Sequence, residues 1–144
     1  MEKKTVNIYI DTGIRGPRRS KGSYLYIVAM QTAKGTADIG NKVELEETTD
    51  NQATLMALET ALNRIHQPCN VILHLENQYV AGALKNGWLE QWQENGWITK
   101  KGEPVKDAEI WQKVLILLDQ HDCQIKLKEP HEYRDWMKSE LKGE

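Results

Sequence analysis

The sequence predicts an α/β fold: a five-stranded mixed sheet, in which an antiparallel meander joins parallel strands, with helices packed against it. Three observations carry this. Three strand-like runs follow one another in the first third of the chain, with only loops and turns between them, which marks a meander. A strand–helix–strand unit comes next, and a connection of that length makes a right-handed parallel crossover. A late helix, a strand and a last helix then close the chain.

Each element has its own signal. Val6, Ile8 and Ile10 alternate with polar or aromatic neighbours over 5–10, the period of a strand. The glycines and proline of 13–22 break this into a loop. Residues 23–30, from Ser23 to Met30, form an apolar and aromatic run expected of a strand buried on both faces. A turn around Lys34-Gly35 leads to a third strand near 36–46. A helix follows, with Asp50 or Thr49 as its N-cap, and Leu55, Leu58, Leu62 and Ile65 recur at helical spacing to face the sheet. His66-Gln67-Pro68 ends it, and 70–75 is the fourth strand. A short helix near 77–85 runs into a segment rich in Asn, Gly and Trp. Ile110, Val114, Leu117 and Leu118 share one stripe of a helix over 107–120; 123–127 is a fifth strand, and 133–141 a last helix after Pro130. There are no repeats, low-complexity tracts or linkers, so 1–144 reads as one domain, large enough for a core without staples.

Bulk properties narrow the class. Apolar residues make up 40% and charged residues 28%, and the apolar runs are too short to span a membrane. Met1-Glu2-Lys3-Lys4 lacks the apolar stretch of a signal peptide, so cytoplasmic residence, no membrane partner and a monomer are expected. Cys69 and Cys123 lie at strand edges without CxxC or Cys/His spacing; they read as core thiols, with no disulfide and no zinc. A net charge of −2 argues against a globally basic nucleic-acid binder, and the distribution of charge matters more. Arg15, Arg18, Arg19 and Lys21 crowd the loop after Asp11, and the three arginines are candidate substrate contacts. Lys100, Lys101 and Lys106 form a second basic group, whereas acids gather at 44–50 and 129–144.

The chemistry centres on carboxylates. Asp11 closes the first strand and Glu76 the fourth, and these would be adjacent parallel strands, at whose carboxyl ends ligand sites gather. Asp135, near the start of the last helix, is a candidate third acid. Magnesium prefers hard oxygen donors and is held by one or two carboxylates with waters and substrate phosphate. Two such ions, about 4 Å apart, clamp the attacking and leaving oxygens of an in-line displacement. His74 and His121 lack partners at ligand spacing and read as structural, and Trp88, Trp92 and Trp97 as packing residues.

Four stretches together resemble ribonuclease H of the bacterial type over nearly the whole chain. Ile10-Asp11-Thr12-Gly13 resembles the family's first-strand motif, which makes Asp11 a metal ligand. Thr48-Thr49-Asp50-Asn51-Gln52 resembles its Thr-Thr-Asn-Asn element; the likeness implies a phosphate contact for Thr49 and substrate contacts for Asn51 and Gln52. Glu76-Asn77-Gln78-Tyr79-Val80 resembles Asp-Ser-Gln-Tyr-Val, with Glu76 as ligand and Gln78 as a substrate contact. The segment from Asn95 to Trp111 resembles the substrate-binding handle, and places Trp88 near phosphate. The resemblance implies a ribonuclease H-like fold that binds RNA·DNA hybrid and hydrolyses the RNA strand with Mg²⁺, or Mn²⁺ in its place. Catalytic roles would fall to Asp11, Glu76, Asp135 and His131.

The departures are as informative. Thr54 stands where the family's helix carries a metal-binding Glu, and a neutral hydroxyl is a much weaker ligand. Glu46 or Glu47, just ahead of the helix, would be partial substitutes. Glu76 keeps its charge with an extra methylene. The terminal segment is compressed, so that His131 lies only four residues before Asp135. Two classes therefore stand: a hybrid-cleaving enzyme of reduced activity, and a nucleic-acid-binding module or interaction scaffold of the same fold with impaired catalysis.

Overall fold

Residues 3–14 and 18–142 are described by a computed structural model, which leaves Arg15 outside the described residues. In chain order the elements are β1 (Thr5–Thr12), β2 (Ser20–Thr32), β3 (Gly35–Thr48), α1 (Asp50–Leu62), β4 (Asn70–Leu75), α2 (Gln78–Lys85), α3 (Trp88–Glu94), α4 (Ala108–Leu118), β5 (Asp122–Leu127) and α5 (Arg134–Lys142). The sheet order is β3-β2-β1-β4-β5. The β1–β2 and β2–β3 pairs are antiparallel, and β1–β4 and β4–β5 are parallel, so meander and crossover both form as expected. The second and third strands run longer than expected. The segment rich in Asn, Gly and Trp holds an unexpected helix, α3, whose Trp88 and Trp92 pack against the core.

Because β1 is central, both its faces are covered, and its alternation sorts side chains between two apolar layers. Val6, Ile8 and Ile10 share one buried cluster with Leu55, Leu58 and Leu62 of α1 and with Trp111 and Val114 of α4, which packs on α1. On the other face, Tyr9 joins Leu25, Ile27 and Ala29 beneath Met137 and Leu141 of α5. Those two apolar residues, one turn apart, set how α5 is rotated on the sheet. At about 100° per residue, Asp135 lies roughly 200° round the helix from Met137, while Arg134 and Lys138 share a stripe beside the buried one. Asp135 is accordingly exposed.

The start of α1 resolves the choice of cap. Thr49 is the N-cap, its hydroxyl accepting from the Gln52 amide at 3.1 Å, which leaves the Asp50 carboxylate for other partners. Cys69 is buried as expected, but Cys123 is exposed: it lies on β5, an edge strand of the sheet. Both thiols are free. Among the described residues no helix is long and apolar enough to cross a membrane.

Beside α5 the sheet carries a small cluster of rings. His74 stacks on Tyr9 with ring centroids 4.3 Å apart and donates from Nε2 to Asn7 Oδ1 at 2.9 Å. Its Nδ1 is buried without a partner. Burial, and then the positive potential of His131 and Lys126, lower its pKa to about 4, so the ring folds neutral. In the unfolded chain it takes up a proton near 6.5. His74 therefore costs nothing above pH 6.5, and opposes folding increasingly as the pH falls from there to about 4. Over that window the unfolding free energy, measured by urea titration, should fall, with roughly 3 kcal/mol as the limit from this one ring. A His74→Gln variant should show a flatter profile; an equally steep one would place the acid sensitivity elsewhere.

Candidate metal and nucleic-acid site

The parallel register between β1 and β4 pairs Tyr9 with His74, and continued by two residues it sets Asp11 beside Glu76. Both carboxylates line a cavity of about 250 Å³ at the ends of these strands, together with Thr12, Asp50, Thr54, Asn77, Lys128 and Lys138. Asp11 is only 7% exposed, and its Oδ1 accepts from the Thr12 amide at 2.8 Å. The Thr12 hydroxyl donates in turn to Asp50 Oδ1 at 2.7 Å, and the Thr54 hydroxyl reaches the same oxygen at 3.4 Å.

Asp50 is the residue that sequence reasoning missed. It lies one turn before Thr54 on the same face of α1, so the helix supplies a carboxylate to the cavity although position 54 does not. The i, i+4 spacing was the available signal. Glu46 and Glu47 do not take this role: both are exposed, and Glu47 pairs with Arg19 at 3.3 Å.

The last helix answers these acids with cations. Lys138 Nζ lies 3.2 Å from Asp11 Oδ2 and 3.2 Å from Glu76 Oε1, bridging the two carboxylates. Arg134 clasps Glu76 with both arms of its fork, Nε to Oε2 at 3.1 Å and Nη2 to Oε1 at 2.9 Å. Burial raises the Asp11 pKa; the Thr12 amide and Lys138 oppose that rise, and the Glu76 charge adds to it. Burial pushes Glu76 upward as well, but the hydrogen bonds and charges of Arg134 and Lys138 outweigh it and hold that carboxyl below its ordinary value. Asp135, expected as a third ligand, is not brought to this cavity. The rotation of α5 turns it to solvent and Arg134 inward.

The other expected site residues are placed as follows. His131 belongs to the ring cluster, 4.4 Å from Tyr9 between ring centroids, and its Nδ1 accepts from the Tyr133 amide at 3.2 Å. A second cavity of about 670 Å³ opens between the start of α1 and the 99–107 segment; Thr49, Asn51, Tyr79, Trp92, Lys106 and Asp107 are among its lining. Asn51 Oδ1 accepts from Asn77 Nδ2 at 2.8 Å, which ties the start of α1 to that of α2. Gln52 is held by Thr48, at 2.9 Å, and by Asp107, at 3.0 Å. Gln78 and Arg18 are exposed, and Arg19 also donates to the Glu47 carbonyl at 3.2 Å. Trp88 is half-buried, 5.9 Å from the Tyr79 ring.

Three carboxylates, two threonine hydroxyls and a carboxamide are hard oxygen donors, the set that suits Mg²⁺ or Mn²⁺. Among the described residues, no three His, Cys, Asp or Glu side chains are already arranged around one point. The Lys138 ammonium nonetheless marks a position where one cation touches Asp11 and Glu76 together, and two carboxylates suffice when waters and phosphate complete the shell. The residues fit a divalent ion, provided that Lys138 leaves.

A mixed sheet with acids at the carboxyl ends of adjoining parallel strands is a framework that can gather a divalent ion at one edge. The RNase H family model matches residues 3–134. A ribonuclease H of Lachnoclostridium phytofermentans is 34% identical over 130 residues, covering 88% of this chain and 82% of the relative. A ribonuclease H of Clostridium botulinum is 32% identical over 126 residues, covering 87% and 83%. The structure of LC9-RNase H1, a type 1 RNase H with the type 2 active-site motif, superposes with a TM-score of 0.75 at 18% identity, over 91% of this chain and 65% of that one. The foamy viral protease-reverse transcriptase in complex with RNA/DNA hybrid superposes with a TM-score of 0.66 at 19% identity, over 97% of this chain and 19% of that one. The structural likenesses establish the fold, and with the family model and the relatives the chain belongs to the ribonuclease H family.

The Thr49 hydroxyl caps a helix whether or not it also touches phosphate. Thr49→Ala should therefore lower the unfolding free energy by about 1 kcal/mol in urea titration without any nucleic acid, and Thr49→Ser should restore most of it. Equal stability of all three proteins would deny the capping role.

Proposed function

We propose that this chain binds RNA·DNA hybrid and hydrolyses the RNA strand, as a monomeric, single-domain ribonuclease H that uses Mg²⁺ or, in its place, Mn²⁺. The observation that carries this reading is the convergence of Asp11 and Glu76 on one cation position beside an open groove. Its support is the family membership and the ribonuclease H relatives of similar length. The free cysteines accord with a cytoplasmic setting.

A bound divalent ion supplies charge neutralisation at the cleaved phosphate and a more acidic attacking water. The chain's own residues do the rest. Thr12 orients Asp11 through its amide and is itself held by Asp50 through its hydroxyl, so the first carboxylate is locked against rotation. Lys128 brings a positive charge to the cavity, suited to a backbone phosphate. The groove lined by Thr49, Asn51, Trp92 and Lys106 offers polar and stacking groups to the minor groove, where successive 2′-hydroxyls distinguish RNA from DNA. Of the loop arginines among the described residues, Arg18 and Arg19 are both exposed, and Arg19 is paired with Glu47.

One observation favours a second reading, a hybrid-binding module with little catalysis: the acids are already neutralised by Lys138 and Arg134, and Thr54 supplies no charge. Cleavage assays on labelled hybrid, RNA duplex and DNA duplex in Mg²⁺ separate the two. The parent protein should cut hybrid alone. Asp11→Asn should slow that cutting at least about a hundredfold, the scale of a few kcal/mol of transition-state charge stabilisation, while hybrid binding in Ca²⁺ persists. Binding without cleavage by the parent protein would give the second reading the lead. Arg18→Ala should weaken binding to every duplex and flatten the log–log salt dependence by about one unit.

A further inference from the structure

We propose that Lys138, with Arg134 beside it on α5, is an internal counter-ion that occupies the cation position between Asp11 and Glu76, so that a divalent metal binds only by displacing it. The inference rests on the metal-dependent reading above and adds a competitor built into the chain.

Geometry carries the argument. The ammonium is equidistant, at 3.2 Å, from one oxygen of each carboxylate, as a bridging cation would be. Arg134 engages both oxygens of Glu76 and fixes that carboxylate facing α5. With Asp11 and Glu76 already matched by two cations, a divalent ion added to that pair would leave it with excess positive charge. Placing Mg²⁺ beside the ammonium would set like charges within a few ångströms in a partly buried cavity, so the two occupancies exclude one another. Lys138 is the one able to leave: its side chain is about one-third exposed, and its four-carbon stem carries a compact charge. Arg134 gains from a fork that matches Glu76, and stays.

Competition of this kind lowers the apparent metal affinity by the fraction of time that the position is open. An ammonium in place for about nine-tenths of the time weakens metal binding about tenfold, and removing it returns that factor. The coupling is reciprocal, so bound metal drives Lys138 into solvent by the same factor.

The test is a Mg²⁺ titration of the whole chain, without nucleic acid, followed by amide NMR shifts at Thr12 and Asn77 and by calorimetry. Proteins compared are the parent, Lys138→Ala, Lys138→Gln as a second variant should the first fold poorly, and Lys113→Ala as an exposed lysine far from the cavity. Both Lys138 variants should bind Mg²⁺ about tenfold or more tightly than the parent, and Lys113→Ala should match the parent within about twofold. In the parent, reductively ¹³C-methylated Lys138 should move towards the signal of a solvated lysine as Mg²⁺ is added. Equal, saturable affinity in the parent and the Lys138 variants would overturn the inference while leaving the metal-dependent reading intact. No saturable shift in any of the proteins at tens of millimolar Mg²⁺ would overturn it too. Hybrid cleavage by the parent protein, assayed separately in excess Mg²⁺, reports on the parent reading alone.

Discussion

Two carboxylates held side by side, largely out of water, are the constraint from which the rest of this molecule follows. The β1–β4 register, continued two residues past its last pair, places Asp11 and Glu76 together. A buried charge is costly unless it is paired and hydrogen-bonded, and two like charges together are costlier still. The surroundings are arranged as an answer to that cost. The Thr12 amide faces Asp11, and the α5 cations cover what remains. The uneven result is visible in the acids themselves: Asp11 is pushed up by burial, while Glu76, with three contacts from α5, is held down.

The charge balance is therefore tied to apolar packing some distance away. Met137 and Leu141 seat α5 on Tyr9, Leu25, Ile27 and Ala29, and this seating decides which of its polar residues face the strand ends. Tyr133 adds a tether just ahead of the helix, its hydroxyl donating to Asp38 at 2.7 Å. A helix of nine residues does not hold itself together in water, so its cations are present at the site because its apolar stripe is buried. Tertiary contact and site electrostatics here are one event.

Much of this was legible in the chain. The strands announced themselves by period, the crossover by its length, and a cap at Asp50 or Thr49 by residue type, because each is a local matter of backbone geometry and burial. Asp11 and Glu76 could be placed together because a parallel pairing leaves little choice of register. What stayed hidden depended on rotation about a helix axis. Asp50 was read as a capping candidate, and its inward turn follows only once Thr49 takes the cap. Asp135 looked like the terminal acid because it stands near the start of the last helix, but the question that mattered was on which side of Met137 it lies. Lys138 carried no motif at all. Its meaning comes from a contact across 127 positions of sequence, which no local pattern encodes.

The hydrogen bond between Asn51 and Asn77 has a wider effect than fastening two loops. It fastens the first turns of α1 and α2 where the two cavities meet: Asn51 lines the larger, Asn77 the smaller, and Asp50 lines both. Each helix carries about half a positive charge at that end, borne by the backbone and independent of any side chain. That backbone charge offsets part of the negative charge that Asp50, Glu103 and Asp107 bring to the larger cavity. A polyanion approaching there would meet a backbone field that titration does not remove and that a count of charged side chains does not reveal.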